Sequence, residues 1–272
     1  MTPKSQQVIL VTGATDGHGK GVALELARRG ATVLVHGRDA DRIARTVEEV
    51  RDRAGGAAVR SYRADLASLA DVRAMAGQVL AGEPRLDALV NNAGIGTRVP
   101  GDGARMTSAD GHELRFAVNY LAPFLLTRLL LPRLEESAPA RIVNVSSAGQ
   151  QAIEFDDIML EHAYNGVRAY CQSKLAQILF TVDLGESLAG SHVTVNALHP
   201  ATYMPTKIVA SPMSSLEEGV TATVRLVTDA SLDATTGRYF DGMEEAEPDP
   251  QALDAGARRR LRELSERLTG LA

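Results

Sequence analysis

Val8-Ile9-Leu10-Val11-Thr12-Gly13-Ala14-Thr15-Asp16-Gly17-His18-Gly19 decides the fold of this chain. The first four residues are an unbroken apolar run, which reads as a strand buried on both faces. A glycine-rich turn follows, and a helical pattern then runs from Lys20 to Arg29. Strand, glycine turn and helix N-terminus in succession form an anion site. Glycines let the backbone approach a pyrophosphate, and the free N–H groups and dipole of the helix point at it. The spacing is G-x-x-x-G-x-G, distinct from the G-x-G-x-x-G of other dinucleotide folds. Gly13, Thr15, Asp16, Gly17, His18 and Gly19 are the candidate phosphate-binding residues.

Outward from this motif, apolar strand-like runs alternate with helical patterns. The strands fall near 7–12, 32–36, 57–62, 86–90, 140–146, 193–198 and 237–240. Such alternation predicts a parallel sheet covered by helices on both faces. The expected fold is α/β, a Rossmann-type three-layer sandwich with a seven-stranded, mostly parallel sheet in one domain, 1–272. A charged C-terminal helix is expected over 250–268. The longest irregular stretches, 94–107 and 200–215, follow the carboxyl ends of strands, where ligands bind in open α/β sheets. The second is the candidate substrate-binding loop.

Tyr170-Cys171-Gln172-Ser173-Lys174 lies in a segment that reads as helix from Val167 to Leu188. Residues four apart share one helix face, so the lysine charge reaches the phenol or a ligand between them. A free phenol titrates near pH 10, and a neighbouring cation lowers that value. The spacing therefore suits a general acid–base tyrosine. Tyr164 is a poorer candidate because Arg168, not lysine, lies four residues on.

The two motifs together resemble the short-chain dehydrogenase/reductase family. Asn91-Asn92-Ala93-Gly94, Asn119, Asn144-Val145-Ser146-Ser147 and His199-Pro200 follow in the expected order, over roughly Gln7 to Phe240. The wording is most similar to the retinol-dehydrogenase-like branch. The resemblance implies an NAD(P)-dependent enzyme that interconverts a small-molecule carbonyl compound and a primary or secondary alcohol. It implies catalytic roles for Asn119, Ser147, Tyr170 and Lys174. Tyr170 exchanges a proton with the substrate oxygen. Lys174 binds the nicotinamide ribose and lowers the phenol pKa. Ser147, preferred over Ser146, stabilises the substrate oxygen, and Asn119 holds a water near Lys174. The family is also home to isomerases, dehydratases and idle nucleotide-binding regulators, but a regulator has no need of the phenol–ammonium pair.

The resemblance extends the cofactor site to Arg38, Asp65, Leu66, Asn92, Ala93, Gly94, Tyr170, Lys174 and Tyr203. Gly37 stands where an NAD-selective site places a carboxylate for the ribose 2′-OH, and Arg38 comes next. A guanidinium suits a 2′-phosphate. NADP(H) is the expected cofactor, with NAD(H) open. Asp39 beside Arg38, and Asp16 where NADP-selective relatives often carry a basic residue, oppose that reading. His18 replaces an apolar residue, Ala201 a glycine, and Pro205 a threonine of the family pattern.

The chain has 272 residues and a net charge of -5, which argues against a nucleic-acid surface. Its single cysteine excludes an internal disulfide and suits the cytosol. The histidines show no metal-ligand spacing, so no metal is expected. The apolar run from Leu121 to Leu131, broken by Pro123 and Arg128, is too short to span a bilayer. A homodimer or homotetramer is left open.

Overall fold

The computed structural model describes residues 7–97, 104–202, 204–205 and 213–272. Within it β1 (Val8–Val11) divides its side chains between two cores. Val8 and Leu10 join one, Ile9 and Val11 the other, as the two-residue period of a strand dictates. A strand apolar on both faces needs helices on both sides, and the sheet has them.

The remaining strands are β2 (Thr32–Gly37), β3 (Val59–Arg63), β4 (Ala88–Asn91), β5 (Ala140–Val145), β6 (Val193–His199), β7 (Arg238–Asp241) and β8 (Glu244–Glu245). They lie in the order β3-β2-β1-β4-β5-β6-β7-β8. Pairing is parallel throughout except between β7 and β8, where Phe240 opposes Glu245. The sheet thus has eight strands where the sequence predicts seven. The additional strand is two exposed glutamates after a turn at Gly242, and it carries no apolar signal.

One face is covered by α1 (Gly17–Arg28), α2 (Ala40–Arg53) and α7 (Leu216–Thr228). The other carries α3 (Leu69–Gly82), α4 (Leu114–Phe116), α5 (Ala122–Glu136), α6 (Gly166–Ser187) and α8 (Ala255–Thr269). The helix expected at 250–268 is two pieces. A 3-10 turn spans Pro250–Leu253, and Asp254 then caps α8 by accepting the Ala257 N–H, the usual role of an aspartate before a helix.

A π-helical turn, Ala117–Leu121, joins α4 to α5. Pro123 has no N–H to give the carbonyl of Asn119, four residues earlier, and this loosens the ladder where Asn119 sits. The joined helix, Leu114–Glu136, has 23 residues, and its apolar 18-residue window has a mean hydropathy of 1.3, enough by length and composition to cross a membrane. It is longer than the apolar run read from sequence. Its apolar window is 78% buried against the sheet and neighbouring helices, the position of a core helix.

From β1 the chain moves outward to β2 and β3, then returns to place β4 on the other side of β1. Ligands bind at such a reversal, outside the carboxyl ends of the strands. The glycine turn after β1 and Asn91–Gly94 after β4 both lie there.

Candidate active site

The glycine turn is held from three sides. Gly13 has φ +65°, and a Cβ there would sit 2.8 Å from the Cα of Ala93. The Gly13 N–H donates to His36 Nδ1 at 3.1 Å, while His36 Nε2 faces the Ala64 carbonyl at 3.2 Å. His36 is therefore neutral with its proton on Nε2, and burial pulls its pKa down to about 4. The Thr12 hydroxyl accepts the N–H groups of Asn92 and Ala93, tying the loop after β4 to the turn. Asp16 caps α1 by accepting the Gly17 N–H. The N–H groups in the first turn of a helix have no intrahelical acceptor, and with the helix dipole they suit an anion.

His18 turns inward. Its Nδ1 lies 2.8 Å from Asn92 Oδ1 and its Nε2 3.1 Å from the Thr223 hydroxyl. Burial holds this ring below its ordinary pKa. The departure at His18 thus ties the glycine turn to Asn92 and to α7.

The residues of the tyrosine helix gather at the end of β5. Lys174 is only 4% exposed. Its Nζ lies 5.9 Å from the centre of the Tyr170 ring. It donates to the Val145 carbonyl at 2.8 Å and to Gln177 Oε1 at 3.0 Å. Burial lowers its pKa to about 7. Asn119 Oδ1 accepts the Ile95 N–H at 2.7 Å, and its Nδ2 donates to Ile95 O and Ser173 Oγ. A Cβ built on Gly94 would lie 3.3 Å from Asn119 Oδ1 and 3.5 Å from Lys174 Nζ. Gly94 therefore leaves open the space that Asn119 and Lys174 border.

The two serines have different surroundings. Ser146 Oγ donates to the Lys174 carbonyl at 2.8 Å and braces α6 against β5. Ser147 Oγ accepts the Gly149 N–H at 3.0 Å. A Cβ on Gly149 would meet Cys171 Sγ at 3.3 Å, Ser147 Oγ at 3.4 Å and Tyr170 Cε1 at 3.7 Å. Ser147 and Tyr170 thus converge over Gly149.

Further along the sheet, Arg38, Arg63, Asp65, Asp71 and Ala74 line an opening of about 390 Å³. Arg38 is exposed. Asp39 does not pair with it and instead caps α2 through the Arg42 N–H. Asp65 accepts the Ala67 N–H, closing the turn before α3, whose cap is Ser68. Leu66 is buried in the larger core. Tyr203 and Thr206 lie outside the described residues.

Several groups in the site gave no sequence signal. Gln177 and His36 look like ordinary helix and strand residues. Arg115 is fully buried and donates to the carbonyls of Gly96 and Thr97 and to the Tyr164 hydroxyl. Tyr164 in turn donates to Glu113 at 3.0 Å, and the Arg115–Glu113 ion pair measures 3.6 Å. Tyr164, set aside as a poor catalyst, anchors the segment after Ser147 to the loop after β4.

A profile of the short chain dehydrogenase family matches residues 7–215. The chain belongs to this family of NAD(P)-dependent oxidoreductases acting on CH–OH groups. Retinol dehydrogenase 13 of Mus musculus is 41% identical over 287 residues, covering 98% of this chain and 84% of that protein. Among solved structures, an uncharacterised protein of Mycobacterium paratuberculosis superposes with a TM-score of 0.78 at 30% identity, over 97% of this chain and 93% of its own. A chain from Beutenbergia cavernae, described as an NAD(P)-dependent gluconate 5-dehydrogenase with bound NADP, has a TM-score of 0.70 at 28% identity, over 91% and 96% of the two chains.

Proposed function

We propose that this protein is an NADP(H)-dependent oxidoreductase that interconverts an apolar carbonyl compound and its primary or secondary alcohol, with Tyr170 as the acid–base group. The observation that carries this reading is the convergence of Ser147 and Tyr170 over Gly149, with the Lys174 ammonium beside the tyrosine ring.

In reduction the Tyr170 hydroxyl gives its proton to the substrate oxygen, and in oxidation the phenolate takes it back. The Ser147 hydroxyl donates to the same oxygen and stabilises the charge that develops there. Lys174 favours the phenolate by its charge and holds the nicotinamide ribose. Asn119 keeps the Ile95 loop and α6 in register and borders a site for a water that returns the proton. The dinucleotide, when bound, supplies or accepts the hydride at the substrate carbon.

The space beside Gly94 and the first turn of α1 fit a dinucleotide. Gly13, Thr15, Asp16, Gly17, His18 and Gly19 would border its pyrophosphate, Asp65 and Leu66 its adenine, and Asn92, Ala93 and Gly94 its ribose. Three features support the phosphorylated form. Gly37 offers no carboxylate to a 2′-OH. Arg38 and Arg63 face one opening. Asp16, whose charge would repel a phosphate, is paired with Arg42 at 2.8 Å. The NADP in the Beutenbergia cavernae relative agrees. An apolar substrate is supported by the likeness to retinol dehydrogenase 13, and by Met213, 74% exposed beside the loop after β6. We place the enzyme in the cytosol because its one thiol, Cys171, is free.

Absorbance at 340 nm over a panel of aldehydes and ketones, retinal included, tests the proposal. NADPH consumption that exceeds NADH consumption, and is fastest with apolar carbonyls, is expected. No turnover in either direction with any carbonyl or alcohol would favour a nucleotide-sensing role instead.

A further inference from the structure

We propose that Gln177 is a positioning residue for Lys174: its side-chain carbonyl and the Val145 backbone carbonyl form a two-point seat that aims the ammonium at the space beside Gly94. This rests on the reading of Lys174 given above and adds a residue to it.

An ammonium has three protons to give. Two go to Val145 O at 2.8 Å and Gln177 Oε1 at 3.0 Å. The third is left for the side on which a Gly94 Cβ would come within 3.5 Å of Nζ. Gln177 is only 1% exposed and lies three residues beyond Lys174, on the same face of α6. Its Nε2 is buried without a hydrogen-bond partner. Leaving a buried amide donor unmet costs stability, so simple packing would be served better by leucine or methionine. The orientation is set by the ammonium, because turning Nε2 towards Nζ would oppose two donors.

The choice of an amide matters chemically. Within ion-pair distance, no described carboxylate faces Lys174. A glutamate at 177 would lock the cation in an ion pair, and an apolar residue would leave it with one acceptor in a dry site. A neutral carbonyl holds the ammonium in place while leaving it able to exchange its proton. The titratable groups facing it are Tyr170 on its own helix and His18 from α1, whose ring is disfavoured as a cation by Lys174. Val145, Gly94 and Asn119 complete the surroundings and do not titrate. Burial has already brought Lys174 to about 7, so a modest change in its seat moves its charge through the working pH range.

The sequence has four lysines, Lys4, Lys20, Lys174 and Lys207, so ¹³Cε-lysine NMR can follow Lys174 directly, assigned by its loss in Lys174→Ala. Titrations of the native protein, Gln177→Met and Gln177→Glu are compared, with NADPH fluorescence titration over the same pH range. Gln177→Met should lower the Lys174 midpoint by at least about one pH unit, a tenfold loss of proton affinity, and Gln177→Glu should raise it by as much. The pH at which NADPH binding weakens should move with it. If one variant fails to fold, the shift in the other decides. Folded variants with the native midpoint would overturn the inference. The reading of Lys174 fails separately, if Lys174→Ala binds NADPH as tightly as the native protein.

Discussion

At the reaction end of the cleft, Asn119, Ser146, Lys174 and Gln177 are buried, and each hydrogen-bonds an element other than its own or a neighbouring turn. At the far end, Arg38 is exposed, and the carboxylates of Asp65 and Asp71 serve the turns they stand in. The contrast separates two physical tasks. Proton transfer needs atoms held to a fraction of an ångström in a dry setting. Recognition of a phosphate needs charge within reach, and solvent-exposed guanidiniums supply it without disturbing the core. Changes at the buried end should therefore show in stability and turnover, and changes at the exposed end in ligand affinity alone.

The largest expected effect on stability is at Arg115. Arg115→Met leaves Glu113 buried without its ion-pair partner and frees Gly96 and Thr97. Urea unfolding should show a loss of about 3–5 kcal/mol. A loss under about 1 kcal/mol would mean that the cleft walls are not pinned by this residue.

His36 sits between the two ends, and it makes the comparison depend on pH. Its folded pKa, about 4, lies below the ordinary 6.5. The unfolded chain therefore binds the proton first as pH falls. Stability from neutral His36 is complete above pH 6.5 and is lost as pH drops towards 4. Between pH 6.5 and 5 this residue should account for about 2 kcal/mol. His36→Gln keeps an acceptor for Gly13 and a donor for Ala64, so its urea midpoint should vary less with pH. Parallel native and variant curves would remove His36 from the account.

At the exposed end, Arg38→Ala should leave unfolding unchanged. Fluorescence titration should show NADPH binding weakened by roughly 10- to 100-fold, the about 1.5–3 kcal/mol of a hydrogen bond to a charged group, and NADH binding little altered. The difference should shrink in high salt, because exposed charges are screened. Equal weakening of both nucleotides would place Arg38 outside the 2′-phosphate site.

The same contrast governs what could be read before folding. The glycine turn and the Tyr170–Lys174 pair were legible because both are local: a strand meeting a helix, and one helical turn. The parallel sheet with helices on both faces followed from periodicity, whereas the strand order came only from the structure. His36 and Arg115 were not legible, since what they do depends on partners brought close only by the fold: Gly13 and Ala64 for His36, Gly96 and Tyr164 for Arg115. Gln177 is local to Lys174, but that it shares the ammonium with the Val145 carbonyl shows only once β5 and α6 are packed. β8 escaped because two exposed glutamates have no apolar pattern. The break at Asp254 was hidden because a charged sequence reads as one helix even where a capping aspartate starts it again.

The central claim is that Tyr170 moves the proton. Tyr170→Phe removes one hydroxyl and keeps the ring that packs beside Gly149 and Lys174. Single-turnover reduction of a working carbonyl substrate, followed at 340 nm with saturating NADPH, measures the step itself. The rate should fall by at least the roughly 10²–10⁴-fold of a lost acid–base group, with unfolding and NADPH affinity unchanged. A near-native rate in a folded Tyr170→Phe protein would contradict the mechanism.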